Sequence, residues 1–317
     1  MSTTGELEEL LSAIEESARV VEVPYAYDTV RSVLDAYREA LPGAPISCRL
    51  GTGKRAPSDV DWHVQLPKGD LDPYVIALAY GLIDSTDHPV ALLFLEVAER
   101  CDVCFYGIDF GAANGLKKIY AAFPPDDMEP LFTLLDLPSM PSSMAENYDF
   151  FARHGMGGKQ IDLFGIDYRH RTVNLHFTGL SADTLAPESV RSIFRDMEFP
   201  EPSEGLLRLS GQAIGAYATL SWDSPKIERF AFSFMAKDPA DLPVPMEPGI
   251  ERFMTDIRRR AGHDTILYCA AMTPAGEEVY TFQLYYQSKP WLTSMPKAGS
   301  IDDQAAELPS ACTEGTA

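Results

Sequence analysis

Apolar and polar residues recur along this chain with two alternating periods. Leu7, Leu10, Leu11 and Ile14 keep the i, i+3, i+4, i+7 spacing of one helix face. They predict a helix over 5–20, and a second fits 27–40, begun by Asp28. The period then falls to two, predicting strands near 46–50 and 59–66. The order returns with helices 72–83 and 88–99 before strands 102–109 and 115–122, then helices 127–136 and 142–154 before strands 159–168 and 171–178. A fourth round has a helix at 186–197, opened by Pro187, and strands 207–222 and 226–236; a fifth has a helix at 248–261 and strands 264–272 and 277–287. Short connections between paired strands make them antiparallel.

Each strand carries one apolar and one polar side. Val60, Trp62, Val64 and Leu66 alternate with Asp59, Asp61, His63 and Gln65. Val173, Leu175 and Phe177 alternate with Thr172, Asn174 and His176, and Phe230, Phe232 and Phe234 with Arg229, Ala231 and Ser233. Gly215, Tyr217 and Thr219 share one side of their strand, as do Thr281, Gln283 and Tyr285 of theirs. Amphipathic helices can cover the apolar sides. The polar sides hold Tyr, His, Gln, Asn, Asp, Arg and Gly beside Thr, with little of the Lys and Glu of a solvated sheet, and that inventory fits a binding cavity. About ten twisted strands tend to curl, and closure removes their edges. The expectation is an α+β protein: a closed antiparallel barrel with helices outside and a polar, aromatic lumen.

Charge narrows the function. The 317 residues include 26 Lys and Arg against 47 Asp and Glu, a formal charge of −21. That field repels phosphate, so nucleic acid and anionic membranes are poor partners. An anionic substrate would need a local cation cluster. The longest apolar run, 74–83, is about half of the ~18 residues a membrane span requires. The acidic N-terminus lacks the features of a signal peptide. Five cysteines, Cys101 and Cys104 among them, form no disulfide scaffold, and the Cys101–Cys104 spacing has no second half. A cytoplasmic monomer is expected, with one domain over 1–298 and a small-residue acidic tail over 299–317.

If the polar sides converge, the lumen collects Arg49, Lys118 and Arg229, with His63, His170 and His176 as switchable donors. Asp61 and Asp109 supply carboxylates, and Tyr120, Tyr217 and Tyr285 supply aromatic faces. Cations beside hydroxyls and amides suit a diphosphate, and tyrosine faces suit a flat aromatic or an apolar cation. No phosphate loop, serine elbow, zinc histidine pair or dinucleotide fingerprint is present. No organic cofactor is indicated.

Four stretches carry a resemblance: GLKKIYAAFPPDDM (115–128), LPSMPSSMAENYDFFARHGM (137–156), VNLHFTGLSADTL (173–185) and YATLSWDSPKIERFAF (217–232). With them the chain resembles the bacterial ABBA-type (CloQ/NphB-like) aromatic prenyltransferases, from near its N-terminus to about residue 287. The resemblance implies a ten-stranded antiparallel barrel ringed by helices in ααββ repeats. It also implies transfer of a prenyl group from its diphosphate to an electron-rich aromatic ring. By resemblance, Lys118, Arg229 and Asn174 belong to the diphosphate end, and Tyr217 lies between diphosphate and acceptor. Tyr120, Gly215, Ser233 and Tyr285 match acceptor-pocket positions, and Asp61 and Asp109 match the metal side of a magnesium-dependent member.

This chain departs from the family at several of those positions. His170 and Thr281 stand where the family has lysines, His176 where it has a tyrosine, and His63 where it has a metal-side serine. Arg49 is expected to compensate for the thinner cation cluster. Family members work with or without metal, so Asp61 and Asp109 leave a Mg2+ requirement open. Trp291 and Leu292 are expected to close one end of the cavity. Electrophilic aromatic substitution needs a proton acceptor, and His176, Asp162 or water could serve. The expected acceptor is a hydroxynaphthalene with a geranyl or, second, a dimethylallyl donor, and dimethylallyl transfer to a hydroxyphenyl acid or another phenolic or phenazine acceptor is the alternative. A non-catalytic barrel carrier of aromatics is the competing class, for which a diphosphate end would be superfluous.

Overall fold

A computed structural model describes residues 3–52, 59–69, 72–238, 248–261 and 265–287. The strands are β1 (Ile46–Thr52), β2 (Asp61–Pro67), β3 (Phe105–Gly111), β4 (Gly115–Ala122), β5 (Glu129–Pro130), β6 (Lys159–Asp167), β7 (Thr172–Thr178), β8 (Gly215–Ser221), β9 (Arg229–Ala236), β10 (Ile266–Met272) and β11 (Glu278–Gln287). Every pairing is antiparallel, in the order β4-β3-β2-β1-β11-β10-β9-β8-β7-β6, with the two-residue β5 beside β6. Pairing of β4 with β6 joins the ends of that order, Lys118 opposite Asp167 and Tyr120 opposite Gly165, and so closes a ring of ten strands. Closure leaves the ring without an exposed edge.

The apolar strand sides face outward against the helices. These are α1 (Thr3–Val20), α2 (Tyr27–Ala36), α3 (Pro73–Ala79), α4 (Val90–Arg100), α5 (Leu131–Leu135), α6 (Ser142–Glu146), α7 (Tyr148–Arg153), α8 (Ala182–Leu185), α9 (Pro187–Asp196), α10 (Glu204–Ser210) and α11 (Pro248–Ala261). Trp62, Phe110, Phe164, Phe177, Phe230, Phe232 and Phe234 are fully buried in that layer, with Phe194 of α9 packed on Phe230 and Phe232. Burying each such side chain contributes roughly 1.5–3 kcal/mol. No described helix is long and apolar enough to cross a membrane.

Local chemistry explains where elements differ from the period-based expectation. Residues 207–210, expected within a strand, belong to α10, because the Ser203 hydroxyl caps its start by accepting from the Leu206 N–H at 3.1 Å. The expected helix over 127–136 contracts to α5, because Glu129 and Pro130 pair with β6 instead. The expected helix over 142–154 breaks at Asn147, whose amide donates to the carbonyls of Ser143 and Pro225, both at 2.7 Å. Asp72 caps α3 through the N–H groups of Tyr74 and Val75, ahead of Pro73 in the first turn.

Candidate active site

The inward sides of the strands gather charge at one end of the lumen. Arg49 of β1 donates from Nη1 to Asp109 Oδ2 at 3.0 Å. Asp109 Oδ1 lies 2.7 Å from His63 Nδ1, and Tyr120 Oη donates to Oδ2 at 2.6 Å. Burial alone would raise the Asp109 carboxyl, but Arg49, the His63 hydrogen bond and Lys118 hold it well below the usual carboxylate range. Burial likewise opposes charge on Arg49, and Asp109, Tyr120, Asp61 and Cys269 together outweigh it. Lys118 lies 3.7 Å from Asp167 Oδ2, and its ammonium is pushed below the ordinary lysine value, first by burial and then by Arg229. Mutual repulsion of this kind requires that the two cations converge.

Arg229 is the most accessible cation of the three, and among the described residues no carboxylate pairs with it. Its Nη2 reaches Asn174 Oδ1 at 3.4 Å, and Thr219 Oγ1 donates to the same oxygen at 3.1 Å. The Asn174 Nδ2 is buried without a partner. An unspent amide donor beside Arg229 and Lys118 is what an anionic oxygen would satisfy. Thr281 faces the same end, with the Cys269 thiol against it.

Aromatic groups line the adjoining part of the lumen. His176 and Tyr217, opposite one another in β7 and β8, stack with ring centres 3.9 Å apart at 24°. His63 meets Tyr120 edge-on at 5.5 Å. Burial pushes the phenols of Tyr120 and Tyr217 up, and that of Tyr285 to about 12, so all three stay neutral. Neutral rings bring no competing charge to a bound cation. Asp162 Oδ1 lies 2.6 Å from His176 Nδ1, and Ser233 Oγ lies 3.3 Å from Nε2.

Three glycines make room for these rings, each on a strand adjacent to its ring. A side chain at Gly165 would begin 2.6 Å from Tyr120 Cε1, one at Gly107 2.7 Å from His63 Cε1, and one at Gly215 2.7 Å from His176 Nε2. Gly215 thus leaves the space that the His176 ring occupies.

Other expected residues take different places. His170 sits on the β6–β7 turn with its side chain 65% exposed, its Nδ1 3.1 Å from Asp167 Oδ2, so it reaches Lys118 only through that carboxylate. Trp291 and the tail over 299–317 lie outside the described residues. Two β-bulges bring in groups that strict alternation would turn outward. In β4, Lys117 is the extra residue where Asp109 and Phe110 oppose Lys118 and Leu116. Lys117 Nζ pairs with Asp61 and, at 3.1 Å, with Asp59. In β6, Asp162 is the extra residue where Phe177 and His176 oppose Ile161 and Leu163.

This donor set does not fit a divalent cation at Asp61 and Asp109. Asp61 is neutralised by Lys117, and both oxygens of Asp109 are already engaged by Arg49, Tyr120 and His63. No cluster of three His, Cys, Asp or Glu side chains able to hold a metal occurs among the described residues. A lumen with a cationic end, an unspent amide donor and neutral aromatic faces is suited to an anionic leaving group attached to an apolar, cation-forming chain.

Comparison with known proteins agrees with that chemistry. Residues 5–291 match the family model for aromatic prenyltransferase Orf2. The chain is 42% identical over 302 residues to the 5,10-dihydrophenazine-1-carboxylate 9-dimethylallyltransferase of Streptomyces anulatus, covering 95% of this chain and 99% of that one. It is 38% identical over 287 residues to the flaviolin linalyltransferase of Streptomyces virginiae, covering 90% and 94%. The crystal structure of PriB in binary complex with product diphosphate shares the fold, with a TM-score of 0.52 at 13% identity over 89% of this chain and 97% of that one. With its sequence matched almost from end to end and its ten-stranded barrel in place, the chain belongs to the aromatic prenyltransferase Orf2 family.

Proposed function

We propose that the protein transfers a geranyl or dimethylallyl group from its diphosphate to a hydroxylated aromatic ring, with a hydroxynaphthalene as acceptor, and does so without a divalent metal. The observation that carries this is the convergence of Arg49, Lys118, Arg229 and the unpartnered Asn174 amide beside the neutral rings of Tyr120, Tyr217 and Tyr285. The cations and amide stabilise the charge that develops on the diphosphate as its bond to the prenyl carbon breaks. Tyr217 shields the allylic cation by its face, and the barrel wall keeps bulk water from quenching it. Confinement aligns the acceptor carbon with the prenyl carbon, which supplies the orientation the reaction needs.

Resident cations take the place of a metal: Lys117 neutralises Asp61, and Arg49 neutralises Asp109. A flaviolin-type acceptor is supported by the relative named for that substrate, and a dihydrophenazine by the relative named for its dimethylallylation. The test pairs geranyl and dimethylallyl diphosphate with flaviolin and with 5,10-dihydrophenazine-1-carboxylate, with and without EDTA. Prenylated product and released diphosphate are followed. Chelator-insensitive prenylation of flaviolin is expected. Activity abolished by EDTA and restored by magnesium would overturn the metal-free reading, and no product from any pair would overturn the whole.

A further inference from the structure

We infer that His176, oriented by Asp162 and reached through the Ser233 hydroxyl, accepts the proton that the acceptor ring loses after prenylation. This rests on the prenyl transfer proposed above. The bulge in β6 sets two residues, Asp162 and Leu163, against the single His176 of β7. Bulges of this kind re-aim side chains, and this one delivers the carboxylate to 2.6 Å from His176 Nδ1.

With a carboxylate that close, Nδ1 carries the hydrogen and donates it, and in the neutral imidazole Nε2 keeps its lone pair. The partner of Nε2 is Ser233 Oγ at 3.3 Å, and the missing side chain of Gly215 leaves the ring edge its space. The groups facing His176 are therefore Asp162 of β6, Tyr217 of β8 and Ser233 of β9, with the Cys269 thiol of β10 next to Ser233 in register. Burial keeps the tyrosine and the thiol protonated, so neither competes with the imidazole for the proton.

The step balances without another reactant. The prenyl carbon–oxygen bond breaks with its electron pair leaving on diphosphate, and a ring carbon bonds to the prenyl carbon. The C–H pair of that carbon then returns to the ring. Its proton passes to Ser233 Oγ as the serine hydrogen moves to His176 Nε2, leaving an imidazolium against the Asp162 carboxylate.

The experiment compares flaviolin and ring-deuterated flaviolin with geranyl diphosphate, measuring prenylated product and diphosphate separately. The wild type is expected to show an isotope effect near unity, with bond ionisation limiting. In His176→Gln, product formation should fall by about 10²–10⁴-fold while diphosphate release falls much less, the cation being captured by water. Proton removal then limits, so the isotope effect should rise clearly above unity. Asp162→Asn keeps the volume but donates to Nδ1 and places the hydrogen on Nε2; kcat should fall with donor KM unchanged and the isotope effect exposed. Ser233→Ala should expose it too, and an effect still near unity there would remove the hydroxyl from the route. His176→Gln product at the wild-type rate, or product and diphosphate lost in parallel with no isotope effect, would overturn the assignment. Wild-type protein that releases no diphosphate and forms no product would instead indict prenyl transfer itself.

Discussion

Placing a methyl group at Gly165 tests how tightly the lumen wall fixes the charged end. The alanine Cβ would lie 2.6 Å from Tyr120 Cε1 and 2.8 Å from Cδ1, where carbons prefer about 3.5–4.0 Å. The Tyr120 ring must therefore retreat by roughly 1 Å, and overpacking of this kind costs about 1–3 kcal/mol. The same movement stretches the 2.6 Å hydrogen bond from Tyr120 to Asp109 past useful length. A hydrogen bond to a charged group contributes roughly 1.5–3 kcal/mol, so Gly165→Ala should destabilise by about 2.5 to 6 kcal/mol in total. Urea denaturation measures this, and a double-mutant cycle isolates its cause. In a Tyr120→Val background the ring atoms are gone, and Gly165→Ala should cost less than about 1 kcal/mol. An equal penalty in both backgrounds would show that the tyrosine does not occupy the space the glycine leaves.

Arg229→Ala should lower kcat/KM for the prenyl diphosphate by about 10²–10³-fold with an unchanged circular dichroism spectrum, and near-normal turnover would remove it from the leaving-group site. Lys117→Met leaves Asp59 and Asp61 without their cation, so its unfolding midpoint should fall and added magnesium should restore it, while the parent does not respond. An equal magnesium response in both proteins would refute the view that Lys117 stands in for a metal. Burial and Arg229 depress Lys118, whose charge is present at low pH and lost as pH rises through its folded value. Donor kcat/KM should therefore decline in alkali below the ordinary lysine value of about 10.4, and Lys118→Arg should move that limb upward. A limb that stays put in Lys118→Arg would assign it to another group.

The sequence by itself determined which strand sides face helices and which face the lumen, because side chains alternate strictly in an extended strand. Phe230, Phe232 and Phe234 could only be core, and Arg229, Tyr217 and Asn174 could only be lumen once the sheet closed. It also required a local cation cluster if a molecule of charge −21 was to bind a diphosphate. Only the tertiary structure decided the rest. The β4–β6 pairing that sets Lys118 against Asp167 and Tyr120 against Gly165 joins distant segments, and no local pattern encodes a non-local register. Alternation places Lys117 and Asp162 on the helix side, and one extra residue in each strand turns them inward, to Asp61 and to His176. His170 followed the family position but landed on a turn, where Asp167 holds its backbone N–H and ring. A period of two predicts a face only while the count holds, and this site is built where the count slips.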